Sequence, residues 1–194
     1  MRTLVLLSTA ALLGCRKPPP AQNHYYSLVL EATNGQAISD RPAPEGRVDL
    51  KAVTLPDYLL TRSLVMQVNS NEVRPAKYHH WGEPIDTSVR KVLVRDLSTA
   101  LPTLDIIAGH RQSADCTLIV EFDRFHATND AKVLASGRYT IHQGDRTVRQ
   151  EFDVTQVQHG DGYTNAVKGM RRAVRALGDQ LQPALQGCVS APGE

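Results

Sequence analysis

Two carboxylates spaced two residues apart, Glu121 and Asp123, have the pattern of an acid–base pair. Alternate positions of a strand lie on one face, so one carboxyl group can donate a proton while the other accepts one. The apolar residues Cys116, Leu118 and Val120 alternate with this face and occupy the opposite one. The pattern therefore favours a solvated face for the two carboxylates. A periplasmic hydrolase that uses Glu121, Asp123 or a histidine is the enzymatic alternative.

The histidines lack the spacing of a metal site. His79 and His80 are adjacent, and adjacent strand residues point to opposite faces, so only one of them can serve a given site. The chain contains no His-x-x-x-His, Cys-x-x-Cys or Gly-x-Ser-x-Gly element. The sequence therefore predicts a non-enzymatic protein with no catalytic residues, no metal site and no cofactor.

The amino-terminal segment contains a cysteine, Cys15, whose thiol is a candidate for covalent modification. Arg2 precedes an apolar run over residues 3–13, which ends in Leu12-Leu13-Gly14-Cys15. The run is shorter than the roughly 20 residues of a membrane-spanning helix and suits a secretory signal. Its ending resembles the lipobox of bacterial lipoproteins, in which the cysteine is acylated and the preceding peptide removed. We therefore expect a signal peptide at residues 1–14 and lipidation of Cys15; the alternative is an ordinary signal peptide with a chance cysteine.

The residues after Cys15 predict where the anchor is placed. In enterobacterial lipoproteins an aspartate at the next position favours the inner membrane, and here that position is Arg16. We therefore expect the periplasmic face of the outer membrane of a Gram-negative bacterium. Each acyl chain contributes about 0.8 kcal/mol of membrane-binding free energy per buried methylene, so several chains together anchor a protein stably in the membrane. Residues 15–24, with three consecutive prolines, predict an extended tether.

The length and composition of the chain suit a single folded domain. The chain has 194 residues, a formal net charge of +2 and 41% hydrophobic residues. Charge this balanced argues against nucleic acid as a partner, because neutralising phosphates needs a clustered basic excess. We expect a single domain over residues 25–188 and a flexible tail over residues 189–194.

Apolar periodicity predicts an α+β fold. Period-two alternation and turn residues indicate eight strands, at residues 25–30, 48–54, 64–68, 72–78, 104–108, 116–122, 133–142 and 147–156. Helical spacing indicates two main helices, which begin near Pro84 and after the expected N-cap Asp161. The expected architecture has two layers, with both helices on one face of a mostly antiparallel or mixed sheet.

The two remaining cysteines are predicted to pair. Cys116 begins the first strand of a three-strand meander, and the third strand runs parallel to the first. The last helix then returns over about the same length, so Cys188 arrives near the end of the sheet where Cys116 lies. An even number of cysteines in an oxidising compartment favours a Cys116–Cys188 disulfide.

Three residues are candidates for partner contact or for structure. Trp81 is the only tryptophan, a residue type enriched in binding hot spots, but it can also pack beside the first helix. Asp57 and Tyr58 follow Pro56, where the aspartate can cap a turn and the tyrosine can bury its ring. For all three, partner contact and a structural role remain open.

A basic stripe follows the last helix. It is expected on the face opposite the apolar stripe and consists of Lys168, Arg171, Arg172 and Arg175. Such a stripe can meet lipid headgroups or an acidic partner, or it can be the solvated face of an amphipathic helix.

Several short motifs, in this order after the lipobox, resemble a known family. They are Leu55-Pro56-Asp57-Tyr58-Leu59, Trp81-Gly82-Glu83-Pro84-Ile85-Asp86, Asp96-Leu97-Ser98-Thr99-Ala100-Leu101-Pro102, Ala135-Ser136-Gly137-Arg138 and Asp161-Gly162-Tyr163. Over roughly residues 25–186 the chain is similar to the PqiC-type (YmbA-type) auxiliary lipoproteins of ABC-type transport systems.

The resemblance implies a partner and an assembly. Such lipoproteins work with an MCE-domain protein and a permease in moving lipids between the inner and outer membranes. The MCE protein forms a hollow needle, and the lipoprotein sits at its outer-membrane end as a homo-oligomeric ring without catalytic activity or cofactor. The alternative function is a lipoprotein that assembles or plugs an outer-membrane β-barrel.

Overall fold

The computed structural model describes residues 21–30, 42–109 and 113–189. Cys15, the signal peptide at 1–14 and the tail residues 190–194 lie outside the described residues. The domain boundaries and the lipidation of Cys15 therefore stay predictions.

The strands and helices follow one another in the order predicted from apolar periodicity. The strands are β1 (His24–Tyr26), β2 (Gly46–Thr54), β3 (Ser63–Asn69), β4 (Glu72–Trp81), β5 (Leu104–Ile107), β6 (Cys116–Thr128), β7 (Lys132–Gln143) and β8 (Arg146–Val157). The helices are α1 (Ile85–Ala100), which lies between β4 and β5, and α2 (Tyr163–Leu185), which follows β8. A single-turn 3₁₀ helix, Asp57–Leu59, follows β2.

All eight strands form one mixed sheet with β6 at its centre. Antiparallel β7 lies along one edge of β6, and β8 pairs with β7. Along the other edge, parallel β2 pairs with the first half of β6 and parallel β3 with its end. Strand β5 joins β2 in parallel; β4 joins β3 antiparallel, and β1 joins β4 in parallel. The longest ladders are antiparallel, which confirms the predicted fold class.

The core lies between the sheet and the two helices, which also contact each other. On β6, Leu118 and Val120 are fully buried, as their alternation predicts. The register shifts after Phe122, where β7 approaches closely. A Cβ on Gly137 of β7 would lie 2.0 Å from the carbonyl oxygen of Glu121, so only glycine permits this approach.

Helix α2 begins one residue later than its expected cap. The N-cap is Gly162 and not Asp161, and no side chain caps the helix. Gly162 has a φ of 90°, a conformation that glycine adopts without the steric cost of a Cβ. This backbone turn leads the chain from β8 onto the sheet, so the prediction of Asp161 as the cap was wrong.

The expected position of Arg171 on the solvent-facing side of α2 was also wrong. Arg171 is only 6% exposed and lies between α2 and α1. Its Nη1 and Nη2 atoms donate to the two carboxylate oxygens of Asp96, at 2.7 and 2.8 Å. Two parallel hydrogen bonds to a carboxylate are the strongest pairing that a guanidinium forms, and they satisfy a charge that burial alone would penalise.

Cys116 and Cys188 are joined by a disulfide, with their Cα atoms 5.7 Å apart. Cys116 begins β6, next to the turn between β7 and β8, and α2 returns to that end of the sheet. The side chain of Gln143, beside this turn, donates to the carbonyl of Gly187 at 2.8 Å. The bond thus ties the end of the last helix to the central strand.

Candidate functional site

An open groove of about 620 Å³ lies where β1, β4 and α1 meet. Tyr25 and His80 contribute from the paired strands β1 and β4, and Trp81 ends β4. Pro84 begins the wall formed by the start of α1, and Leu60 contributes from the segment after the 3₁₀ helix. Three separate stretches of the chain, Tyr25, residues 60–63 and residues 80–86, therefore form one largely apolar surface.

Backbone hydrogen bonds hold the walls of this groove. The Trp81 N–H donates to the carbonyl of Arg62 at 2.6 Å, and the Gly82 N–H donates to the carbonyl of Tyr26 at 2.8 Å. The rings of Tyr25 and His80 lie 5.7 Å apart. Because the strand ends are fixed in this way, the groove is preformed in the folded domain.

Two apolar side chains of the groove are largely exposed to solvent. Tyr25 is 68% exposed and Leu60 is 55% exposed, whereas Trp81 is only 7% exposed and forms part of the wall. A rigid aromatic wall beside exposed apolar side chains is typical of a protein-binding surface. Trp81, singled out from the sequence, lies in this groove; its role as a binding anchor stays a prediction.

Charged groups flank the groove. Glu83 accepts hydrogen bonds from Lys91 Nζ at 2.5 Å and from Ser88 Oγ at 2.9 Å. The hydrogen bond from Lys91 is the main reason that the pKa of Glu83 lies below its ordinary value of 4.5. Arg62 and Asp86 also line the groove, and neither forms an ion pair with any residue in the described ranges. One free charge of each sign is therefore available to a partner.

Asp57 and Tyr58 lie in the 3₁₀ helix, away from the groove walls. Tyr58 is 38% exposed, and its hydroxyl lies 3.2 Å from Nδ1 of the buried His126. His126 Nε2 lies 3.2 Å from Oε1 of Gln67. A neutral imidazole fits both contacts, because Nε2–H donates to Gln67 while Nδ1 accepts from Tyr58. Tyr58 therefore links the 3₁₀ helix to β6 and β3, and Asp57 remains exposed.

The protonation of His126 is expected to make the fold less stable in acid. Burial, and secondarily the charge of Arg124, lower the pKa of His126 below its ordinary value of 6.5. The unfolded chain then binds more protons below pH 6.5, so the free energy of unfolding falls as pH decreases through this range. Urea unfolding of His126→Gln should show a flatter pH dependence between about pH 7 and 5 than the unaltered chain. The exposed His142→Gln serves as control, and equal slopes for His126→Gln and the unaltered chain would contradict the assignment.

The other basic residues of α2 are divided between two environments. Lys168 and Arg175 are exposed, as expected. Arg172 is half-buried, and its Nη2 donates to the carbonyl of Val157 at the end of β8, at 2.9 Å. With Arg171 buried, the predicted stripe of four does not form one continuous basic surface.

The candidate acid pair is not assembled. Glu121 forms an ion pair with Arg138 at 3.0 Å, and Asp123 lies exposed at the register shift of β6. Across residues 21–30, 42–109 and 113–189, no group of three or more histidine, cysteine or acidic side chains is placed to hold a metal ion. No helix in those ranges is both long and apolar enough to cross a membrane.

Sequence reasoning missed Tyr25 and Leu60 as surface residues. Tyr25 has the residue type of a core strand, but β1 lies at the end of the sheet and pairs with β4 alone. Leu59 and Leu60 are adjacent, and a single 3₁₀ turn buries only the first of them. An adjacent pair of leucines at the end of so short a helix is the one signal that points to an exposed apolar residue.

Comparison with known families and proteins identifies relatives along most of the chain. Residues 26–182 match the family described as "ABC-type transport auxiliary lipoprotein component". The chain is 30% identical over 167 residues to the "Intermembrane transport lipoprotein PqiC" of Escherichia coli (strain K12), covering 85% of this chain and 87% of that protein. The protein of the same name from Shigella flexneri matches with the same identity and coverage.

Solved structures support the fold. A protein described only as uncharacterized superposes with a TM-score of 0.73 at 24% identity, covering 84% of this chain and 99% of its own. Protein XCC0632 from Xanthomonas campestris has a TM-score of 0.65 at 11% identity, covering 82% and 92%. Similarity at this level of identity concerns architecture. The sequence match over residues 26–182 shows that the chain belongs to the family of ABC-type transport auxiliary lipoprotein components.

Proposed function

We propose that the protein is a non-enzymatic lipoprotein of an intermembrane lipid transport system, anchored through Cys15 to the periplasmic face of the outer membrane. In this proposal the folded domain docks an MCE-domain protein that acts with a permease. Family membership, the names of the relatives and the Leu-x-Gly-Cys ending before Arg16 support this assignment. The observation that carries the docking role is the preformed apolar groove beside Trp81.

The position of the groove suits docking near a membrane. Tyr25 lines the groove and is ten residues after Cys15, by 25 − 15. An extended chain spans at most about 3.6 Å per residue, so the tether holds the groove within about 36 Å of the anchored cysteine. A partner that reaches the outer membrane from the periplasm thus meets the groove close to the lipid surface.

Self-association would strengthen this docking. We propose that several copies form a ring, so that each groove presents the same contacts to one partner. Linked sites raise the effective concentration of every further contact, and weak single contacts then sum to firm binding.

Docking is tested by co-purification of the MCE-domain protein with the tagged, detergent-extracted lipoprotein. Leu60→Asp places a charge on an exposed apolar position and should reduce the recovered MCE protein at least tenfold, about 1.4 kcal/mol or more of binding free energy. Val73→Asp, at an exposed apolar position outside the groove, is the matched control and should leave recovery unchanged. Equal recovery with both variants would exclude the groove as the docking surface.

Anchoring is tested at Cys15. Radiolabelled palmitate should enter the unaltered protein and not Cys15→Ser, because serine has no thiol to acylate. In sucrose-gradient fractionation the unaltered protein should sediment with the outer membrane, and the variant should leave that fraction. An unaltered protein without label, or a variant with the same distribution, would overturn the anchoring proposal.

A further inference from the structure

Strand β8 has an outer edge that no other described strand pairs with. The β7–β8 ladder joins Gln143 to Arg146 across a two-residue turn, so hydrogen-bonded pairs recur at every second residue from there. The backbone groups of the odd-numbered residues 147–157 therefore point outward. The one outward group with a hydrogen-bond partner in the described chain is the carbonyl of Val157, which accepts from Arg172.

The backbone of this edge is long and regular, and its protection is limited to charged side chains such as Arg149 and Glu151. Natural edge strands are commonly shortened, bulged or interrupted by proline. Strand β8 has 12 residues, contains no proline and pairs with β7 without a register shift. The outward peptide groups between Thr147 and Thr155 therefore form a continuous template for another strand.

A groove of about 460 Å³ lies between this edge and α2. Val148 and Gln150 line it from β8, and Pro183 and Ala184 line it from the last turn of α2. An added strand would direct its side chains opposite Val148 and Gln150 toward this groove, because successive side chains alternate between the two faces of a sheet. Apolar side chains fit these positions, since Val148 and Ala184 are only partly buried.

Charges on the opposite face of the sheet specify the other side chains. Glu121, Arg138 and Glu151 are in register across β6, β7 and β8, so a row of alternating charge ends at the exposed Glu151. Two residues earlier, Arg149 is exposed and forms no ion pair with any described residue. A complementary strand needs a basic side chain opposite Glu151 and an acidic side chain opposite Arg149.

We propose that the edge of β8 binds an extended segment of a partner protein, added antiparallel to β8, with the pattern basic–apolar–acidic. Its backbone hydrogen-bonds to residues 147–155, its apolar residues enter the groove beside α2, and its charges face Glu151 and Arg149. The described end of this chain does not occupy the edge, because residues 188 and 189 lie beside β2, on the other side of β6 from β8. After Cys188 the chain passes over Gly46 of β2, where a Cβ would lie 2.1 Å from the Cys188 carbonyl oxygen.

The surface is separate from the groove at Trp81, since no residue lines both. Loss of binding at β8 therefore leaves the docking test at Leu60 interpretable, and the reverse also holds.

The test uses two synthetic peptides of identical composition and the detergent-purified full chain. The first, Thr-Val-Lys-Val-Asp-Val-Thr, places lysine opposite Glu151 and aspartate opposite Arg149 in the antiparallel register. The second, Thr-Val-Asp-Val-Lys-Val-Thr, reverses the charges. Fluorescence anisotropy should show about tenfold tighter binding of the first peptide, as expected for two matched rather than mismatched ion pairs at an edge. The double variant Arg149→Glu/Glu151→Arg should reverse the preference.

Backbone pairing is tested by N-methylation of the first peptide. A methyl group on the lysine amide, which faces β8, should abolish binding, whereas one on the central valine amide, which faces away, should not. Circular dichroism melting checks that the variant remains folded. Equal affinity for both peptides, the opposite preference, or indifference to the lysine methyl group would overturn the proposal. Self-association in native mass spectrometry that disappears in Arg149→Glu would show that the β8 edge binds a second copy of the chain. That result would likewise overturn the proposal.

Discussion

Asp96→Ala is expected to lower the free energy of unfolding by about 3–5 kcal/mol, because it leaves a buried guanidinium without its counter-charge. The Arg171 side chain is 7% exposed and that of Asp96 is 13% exposed, and two hydrogen bonds join them. Removal of the carboxylate leaves the positive charge of Arg171 unpaired between α1 and α2. Urea unfolding can be followed through the fluorescence of Trp81, the only tryptophan.

The double variant Asp96→Leu/Arg171→Met distinguishes two quantities. One is the destabilisation caused by an unpaired buried charge, and the other is the net contribution of the ion pair to the free energy of unfolding. Both replacements are apolar and of roughly similar size, so the double variant should be far more stable than Asp96→Ala, and close to the unaltered protein. Lys168→Met, at an exposed position of the same helix, should change stability by no more than about 0.5 kcal/mol. A loss below about 1 kcal/mol for Asp96→Ala would mean that water reaches the pair and screens it.

The same pair shows why the basic stripe was only partly predictable. Arg171 follows Val167 by four residues and precedes Val174 by three, so helical spacing places it on the apolar stripe. Its residue type argued for solvent, and spacing argued for burial. The conflict is resolved by Asp96, which lies 75 residues earlier and on another helix. Local pattern predicts the helix and its buried face, but a charge that pairs across two helices depends on tertiary packing.

The candidate groove was predictable to a similar degree. Period-two alternation places β4, and proline at the start of a helix places α1, so the position of Trp81 between them follows from sequence. The exposure of Tyr25 does not, because β1 pairs in parallel with residues 79–81 of β4. A parallel pairing between segments more than 50 residues apart has no local signature, and the same is true of the free outer edge of β8.

The disulfide was predictable because its geometry depends on lengths alone. A meander of three strands and a returning helix bring their ends together whenever helix and strand span similar distances. Helix α2 has 23 residues and β8 has 12, which gives roughly 35 Å and 40 Å at the usual rise per residue. The prediction needed no side-chain contact, and in this respect it differs from the pairing of Arg171.

Removal of this disulfide, in Cys116→Ala/Cys188→Ala, is expected to destabilise the domain by about 4 kcal/mol. The bond closes a loop with a sequence separation of 72. Without the bond, the unfolded chain has a higher conformational entropy, which favours unfolding. Both cysteines are buried, so alanine fits the site better than serine does.

Reductant provides the matched comparison. The unaltered protein in dithiothreitol should approach the urea midpoint of the double alanine variant, because both lack the cross-link, while the variant itself should not respond to dithiothreitol. A difference between the two reduced states measures the small cavity that alanine leaves, separately from the loop. Thiol titration of the urea-unfolded mature protein without reductant completes the test. Two free thiols would show that the bond is not formed, and the destabilisation by reductant should then vanish as well.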